Sequence, residues 1–329
     1  MMESYHDLLR DYLGSPQDIT ASIVHYVTST ALPALDKNAS VINVKSVESP
    51  IFTASVEWRP KTGHKLCIYS GVAQTLATSL QSIDTPAIET LAALSENLFG
   101  SPDFAHVVAG SVLSSAVIFV CLHEYGHVAG GHFELRRCQR TEQDRGFEFN
   151  ETTDDFSYEG KSGNAFQFSQ LLELEADLIA FNLLLDLSYP IVVANEDVAA
   201  LMRGREFENW RDELHPRVAE LTFYAAAIAL GLLSVHRANE NSETHPWPIT
   251  RMMYIAMLLL RRTVPGWQSG SKLAHFLKID ETALAHLTGN FLPTLLNAIE
   301  LAESCCRGIG LDLPHAMGLS SGAPEFMSR

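Results

Sequence analysis

The stretch that decides how this chain folds is AVIFVCLHEYGHVAGGH, Ala116 to His132. Its first residues, Ala116 to Leu122, are apolar around the whole circumference of a helix, which marks a helix buried on every side. Gly130 and Gly131 then offer that helix a stop. Within it His123 and His127 stand one turn apart on a common face, so both imidazoles can reach a single ion, with Glu124 beside them. Burial makes the pair informative, because imidazoles in a low-dielectric core need partners.

Two histidines and a base do not complete a metal site, which requires a third protein ligand. LLELEADLIAF, Leu171 to Phe181, has the required properties. Glu173 and Asp177 share a helical face with Phe166, Ala180, Phe181 and Leu184, which is an inward face. Glu175 lies nearly opposite, in line with Asn182 and Asp186, on a stripe expected to be solvated. Carboxylates are rarely buried without a counter-charge, because desolvation costs several kcal/mol, and a metal or a metal-bound histidine removes the problem. Position therefore selects Glu173 as third ligand, with Asp177 behind it as the acceptor that fixes the tautomer of a ligating histidine.

His132 competes for the third position. The zincin pattern HExxHxxGxxH would need a histidine at position 133, where this chain has Phe133, so His132 is expected either to line the site mouth or, as the favoured reading, to lie at the surface just beyond the helix end. A further element is THPWPITR, Thr244 to Arg251. Pro246 and Pro248 open a helix, His245 could donate to a developing oxyanion, and Arg251 could brace Glu173 or Asp177.

HExxH followed by E-x-E-A-D and then T-H-P-x-x-x-x-R resembles the gluzincin metallopeptidases of the CAAX prenyl protease, heat-shock HtpX and OMA type, over roughly residues 67–262. HKLCIYSGVAQTL resembles the strand and helix that precede the active-site helix there, although VEWRP stands where that family has Asn-Ala. The resemblance implies zinc held by His123, His127 and Glu173, Glu124 as base, and Asp177, His245 and Arg251 as supporting residues. HExxHxxxGH in an acidic chain also resembles the Lit-type phage-exclusion peptidases, which are cytoplasmic and cut a host protein.

The expected function is therefore zinc-dependent peptide hydrolysis on a protein or peptide substrate, with one Zn2+ per chain. The alternative is a non-catalytic zinc-binding sensor or interaction protein. A closed structural site favours four Cys or His ligands and has no use for a base, so Glu124 separates the two.

Around this centre the chain reads as mainly α (α+β), a zincin-like helical domain with a small N-terminal sheet or hairpin. Short helices fill residues 1–40, where Pro33 and LDKNAS punctuate the end. The metallopeptidase domain spans 41–306. VINVKSV, IFTASVEW and HKLCIYSG are rich in β-branched and aromatic residues and read as strands, with RPKTG a turn before the third. An edge of IFTASVEW or HKLCIYSG could hold an extended substrate by strand addition. Thereafter helices are expected over 72–83, 86–99, 103–130, 165–188, 194–203, 206–236, 247–262 and 280–306, with no further sheet. The polar segment 140–161 carries seven Asp or Glu against three Arg or Lys, with four aromatics, and is expected to be a loop that covers the cleft or a solvated insertion. Residues 307–329 read as a flexible tail.

Composition narrows the partners. A formal net charge of -16 over 329 residues disfavours nucleic acid and anionic membrane surfaces, which need clustered Lys and Arg. Five cysteines without metal-site spacing suit a reducing compartment, and the N-terminus MMESYHDLLRDYLG lacks a secretory pattern, so the cytoplasm is the expected location. The apolar runs Val107 to Leu122 and Leu221 to Val235 fall short of the roughly 20 residues of a spanning helix, so membrane association is not favoured. The sequence leaves the oligomeric state open.

Overall fold

Proline and serine punctuation near the N-terminus sets the first turns of the chain. Ser15 accepts from the Asp18 amide and Pro16 begins the helix it caps, because a proline at the first helical position gives up an N–H that has no partner there. The computed structural model describes residues 2–13, 15–35, 42–59, 63–134, 147–150, 163–194, 210–237, 248–263 and 292–311. Helices α1 (Met2–Leu13) and α2 (Pro16–Tyr26) are followed by a π-helical turn, Val27–Ala31, and a short α3 (Leu32–Leu35), so Pro33 sits within helical backbone rather than ending it.

Strands β1 (Asn43–Val47), β2 (Ala54–Arg59) and β3 (Gly63–Tyr69) form a sheet that a fourth strand, β4 (Phe147–Asn150), completes in the order β1-β3-β2-β4. β1 runs parallel to β3, while β2 is antiparallel to both β3 and β4. Two expectations change here. Sheet does not end early, because Phe147 to Asn150, inside the acidic segment, pairs with Ser55 to Trp58. β2 and β3 are also interior strands whose backbone groups are committed on both sides, so neither offers the free edge that strand addition requires. The rest of the acidic segment lies outside the described residues.

The remainder is helical: α4 (Ser70–Gln81), α5 (Thr85–Phe99), a 3-10 turn (Pro102–Phe104), α6 (Ala105–Ala129), α7 (Gly163–Ala194), α8 (Trp210–Arg237), α9 (Pro248–Thr263) and α10 (Leu292–Gly308). The fold is thus mainly α with a small sheet. α7 runs past Tyr189, where the sequence suggests a stop before Pro190. Proline lacks the N–H that would bond the Asp186 carbonyl, yet helical backbone continues four residues beyond it to Ala194. The region expected as helix 194–203 lies outside the described residues beyond Ala194, as does the first part of the expected helix 280–306. The tail beyond Leu311 is outside them too.

α6 is the axis of the molecule. It touches α1, α2, α4, α5, α7 and α8 and leans on β2 and β3, which is why its sequence shows no polar face. With the preceding turn it forms a continuous Pro102–Ala129 segment, longer than its apolar run suggests and long and apolar enough to cross a membrane by length and composition. Nonetheless 89% of its most apolar window is buried within the protein, so its apolar surface is already used by the core. The described cysteines Cys67, Cys121, Cys305 and Cys306 are buried free thiols within that packing, and Cys138 lies outside the described residues.

Candidate metal centre

α6 delivers His123, Glu124 and His127 at its last turns, and α7 crosses it with Glu173 and Asp177 facing inward. The crossing is close because of Gly126. A Cβ built there would lie 2.8 Å from the Ala176 carbonyl oxygen and 2.9 Å from Ala176 Cα, so only a glycine lets the two backbones approach this far. Ala176, between Glu173 and Asp177, is itself small and fully buried. This glycine–alanine contact sets the carboxylates of α7 against the imidazoles of α6.

The side chains converge. His123 Nε2 lies 3.3 Å from Glu173 Oε2, His127 Nε2 lies 3.6 Å from Glu173 Oε1, and the two Nε2 atoms are 3.2 Å apart. One ligand atom from each of His123, His127 and Glu173 lies within 4.8 Å of the others, a spacing at which all three could hold one ion. Exposure is 0% for His123, 2% for His127 and 3% for Glu173, with Glu124 at 1%. Two imidazole nitrogens and a carboxylate oxygen are a donor set suited to a borderline-soft divalent cation.

Behind the ligands stands a charged clamp. His123 Nδ1 is 2.8 Å from Asp177 Oδ1, and Arg251, from the first turn of α9, donates from Nε to Asp177 Oδ2 at 2.6 Å and from a terminal nitrogen to Oδ1 at 2.7 Å. The two Arg251 bonds form the fork that guanidinium makes with a carboxylate. Asp177 and Arg251 are both buried. With Nδ1–H donated to Asp177, His123 keeps its Nε2 lone pair free for an ion, and the ring cannot rotate away.

Burial works against charge throughout this cluster, and mutual attraction overcomes it. Burial pushes the Asp177 carboxyl up, but Arg251 and His123 outweigh it and hold the carboxyl below the usual range. Arg251 is pushed down by burial and raised more by Asp177. His123 is pushed down by burial and lifted to about 9 by Asp177 and Glu173. An ion at Nε2 would therefore compete with a proton that the two carboxylates favour there.

The residues expected at the site fall as follows. His123, His127 and Glu173 come together, Glu124 is buried next to His123 on α6, and Asp177 and Arg251 stand behind His123. Glu175 is exposed, with 52% of its side chain accessible, so α7 does turn Glu173 inward and Glu175 outward. His245 lies outside the described residues. One expectation is overturned: His132 is not a surface histidine, because its exposure is 0% and its Nδ1 lies 2.8 Å from His127 Nδ1. Its Nε2 in turn lies 3.4 Å from Glu175 Oε2. Burial lowers the His132 pKa against the opposing pull of Glu175.

The turn that brings His132 back was signalled by its glycines. Gly131 takes φ 68°, which reverses the chain beyond α6, and a side chain on Gly130 would meet His132 Nε2 at 2.5 Å. Phe133 then packs edge-on against His64 of β3, with ring centroids 5.0 Å apart, and holds the segment down. Comparison with protein-family models, with characterised proteins and with solved structures finds no match to this chain.

Proposed function

We propose that the chain is a zinc-dependent peptidase of gluzincin type, with His123, His127 and Glu173 as ligands and Glu124 as general base. The observation that carries this reading is the convergence of three buried ligand atoms within 4.8 Å of one another, beside a buried carboxylate on the same helix. A purely structural centre has no use for Glu124.

Zinc in this position would supply a Lewis acid and lower the pKa of a water in the open coordination position to about 7. The protein does the rest. Asp177, clamped by Arg251, keeps His123 in the tautomer that presents Nε2. Glu173 is held on α7 by the contact at Gly126. Glu124 takes the proton of the attacking water and hands it to the leaving amine, a transfer of the kind that contributes about 10²–10⁴-fold in rate. His245 is the proposed donor to the developing oxyanion. The substrate is a protein or peptide; for strand addition, β1 and β4 are the edge strands among the described residues.

The near-complete burial of the ligands favours a second reading, a closed zinc site with a binding or sensing role. Glu124→Gln separates the two. The variant should retain fold and stoichiometric zinc and lose at least 100-fold of the casein-hydrolysing activity, by the worth of a general base. Undiminished cleavage by that variant excludes Glu124 as base, and a zinc-loaded wild-type protein without any hydrolysis favours the sensor.

A further inference from the structure

The two ligating histidines are supported differently. His123 rests on a buried carboxylate and guanidinium, whereas His127 rests on another histidine. The contact is short: 2.8 Å between Nδ1 of His127 and Nδ1 of His132, with the rings 70° apart and both buried. At that distance one proton lies between the two nitrogens. Resting on the reading of His127 as a ligand, we propose that His132 is a positioning residue for the metal centre, accepting at Nδ1 the proton that fixes His127 in its metal-binding tautomer.

The assignment of protons follows from the chemistry. An imidazole that gives its Nε2 lone pair to an ion carries its hydrogen on Nδ1, so His127 is the donor in this contact. His132 must then present a bare Nδ1, and its own hydrogen sits on Nε2, directed toward Glu175 Oε2 at 3.4 Å. Glu175, half exposed on the outer face of α7, thus biases the tautomer of His132 from the protein surface, and His132 passes the bias to His127. Three features make the arrangement a built one. Gly131 reverses the chain at φ 68°, Gly130 leaves the space occupied by the His132 ring, and Phe133 is pinned against His64.

The test is zinc affinity of the full-length chain, measured by competition with a chelating dye after metal removal, for wild type, His132→Asn and His132→Leu. Asparagine can place an acceptor where Nδ1 stands; leucine has a comparable volume and none. Loss of such a supporting partner typically lowers metal affinity 10–100-fold. The expected result is a loss in that range for leucine and a loss under about fivefold for asparagine, well below that range, with metal-free urea midpoints matched between the variants. Leucine binding zinc as wild type does, or asparagine and leucine losing equally, overturns the proposal. If the leucine variant does not fold, ¹⁵N NMR of zinc-loaded wild type decides: a His132 protonated at Nε2 and bare at Nδ1 is expected, and one protonated at Nδ1 overturns it. Failure of wild type to bind zinc would instead sink the metal reading on which the proposal stands.

Discussion

Replacing Gly126 by alanine sets two opposing magnitudes against each other at the point where the site is assembled. Alanine in a helix interior is favoured over glycine by about 1 kcal/mol. Against this, the new methyl would sit 2.9 Å from Ala176 Cα and 2.8 Å from its carbonyl oxygen. Carbon atoms in good contact are about 3.5–4.0 Å apart, so α6 and α7 must separate by roughly 0.6 Å or more. Both partners are backbone, and no rotamer change relieves the clash. Overpacking of this kind costs about 1–3 kcal/mol, which leaves a net loss between about 0 and 2 kcal/mol. The separation falls on the gap between His123, His127 and Glu173, where metal–ligand distances tolerate only about 0.2 Å. Urea unfolding of metal-free protein and competitive zinc titration read the two effects separately. Gly126→Ala should show a small loss of stability and at least a tenfold loss of zinc affinity. A variant about 1 kcal/mol more stable, by the helix-propensity gain alone, with unchanged zinc affinity would refute the reasoning.

Other outcomes follow from the charges. Arg251→Met leaves Asp177 buried without its guanidinium and should cost about 3–5 kcal/mol in urea unfolding, and adding Asp177→Asn should restore part of it, as a double-mutant cycle would show. At the far end of the fold, Asp84 caps α5 through the Ala87 amide and also meets Ser304 and Arg307 of α10. Burial pushes its pKa up, but these bonds outweigh it and the net shift is downward. Its contribution is therefore fully present above the ordinary carboxylate pKa and lost as pH falls through the lowered folded value. Asp84→Ala should cost about 1 kcal/mol at pH 7, as loss of an N-cap does, and the difference from wild type in urea midpoints should shrink in strongly acidic solution.

The parts of the fold legible in the sequence were those fixed by helical spacing. His123 and His127 one turn apart, and Glu173 and Asp177 on the face shared with Ala180, Phe181 and Leu184, are local regularities that survive folding because the elements are long. Arg251 is readable as a brace for Glu173 or Asp177 from its chemistry alone, but nothing in local spacing brings α9 to α7, and the choice of Asp177 comes from the packing. His132 was misplaced because its location depends on a single backbone reversal at Gly131, and reading past the end of a helix gives no direction. β4 was missed for a related reason. Four residues, Phe147 to Asn150, carry too short an alternation to stand out from an acidic segment, and their strand character comes from pairing with β2. The strand order likewise depends on β1 pairing with β3 across the intervening β2, a non-local choice that the three strand patterns do not contain.

Metal content tests the account most directly. Purified protein, dialysed against metal-free buffer after loading with zinc, should retain one zinc per chain by elemental analysis; Glu173→Ala should retain almost none, and Glu175→Gln, which keeps an acceptor toward His132, should still hold it. Wild-type protein that keeps no stoichiometric ion, or a Glu173→Ala variant that keeps as much as wild type, would show that α6 and α7 do not meet around a cation.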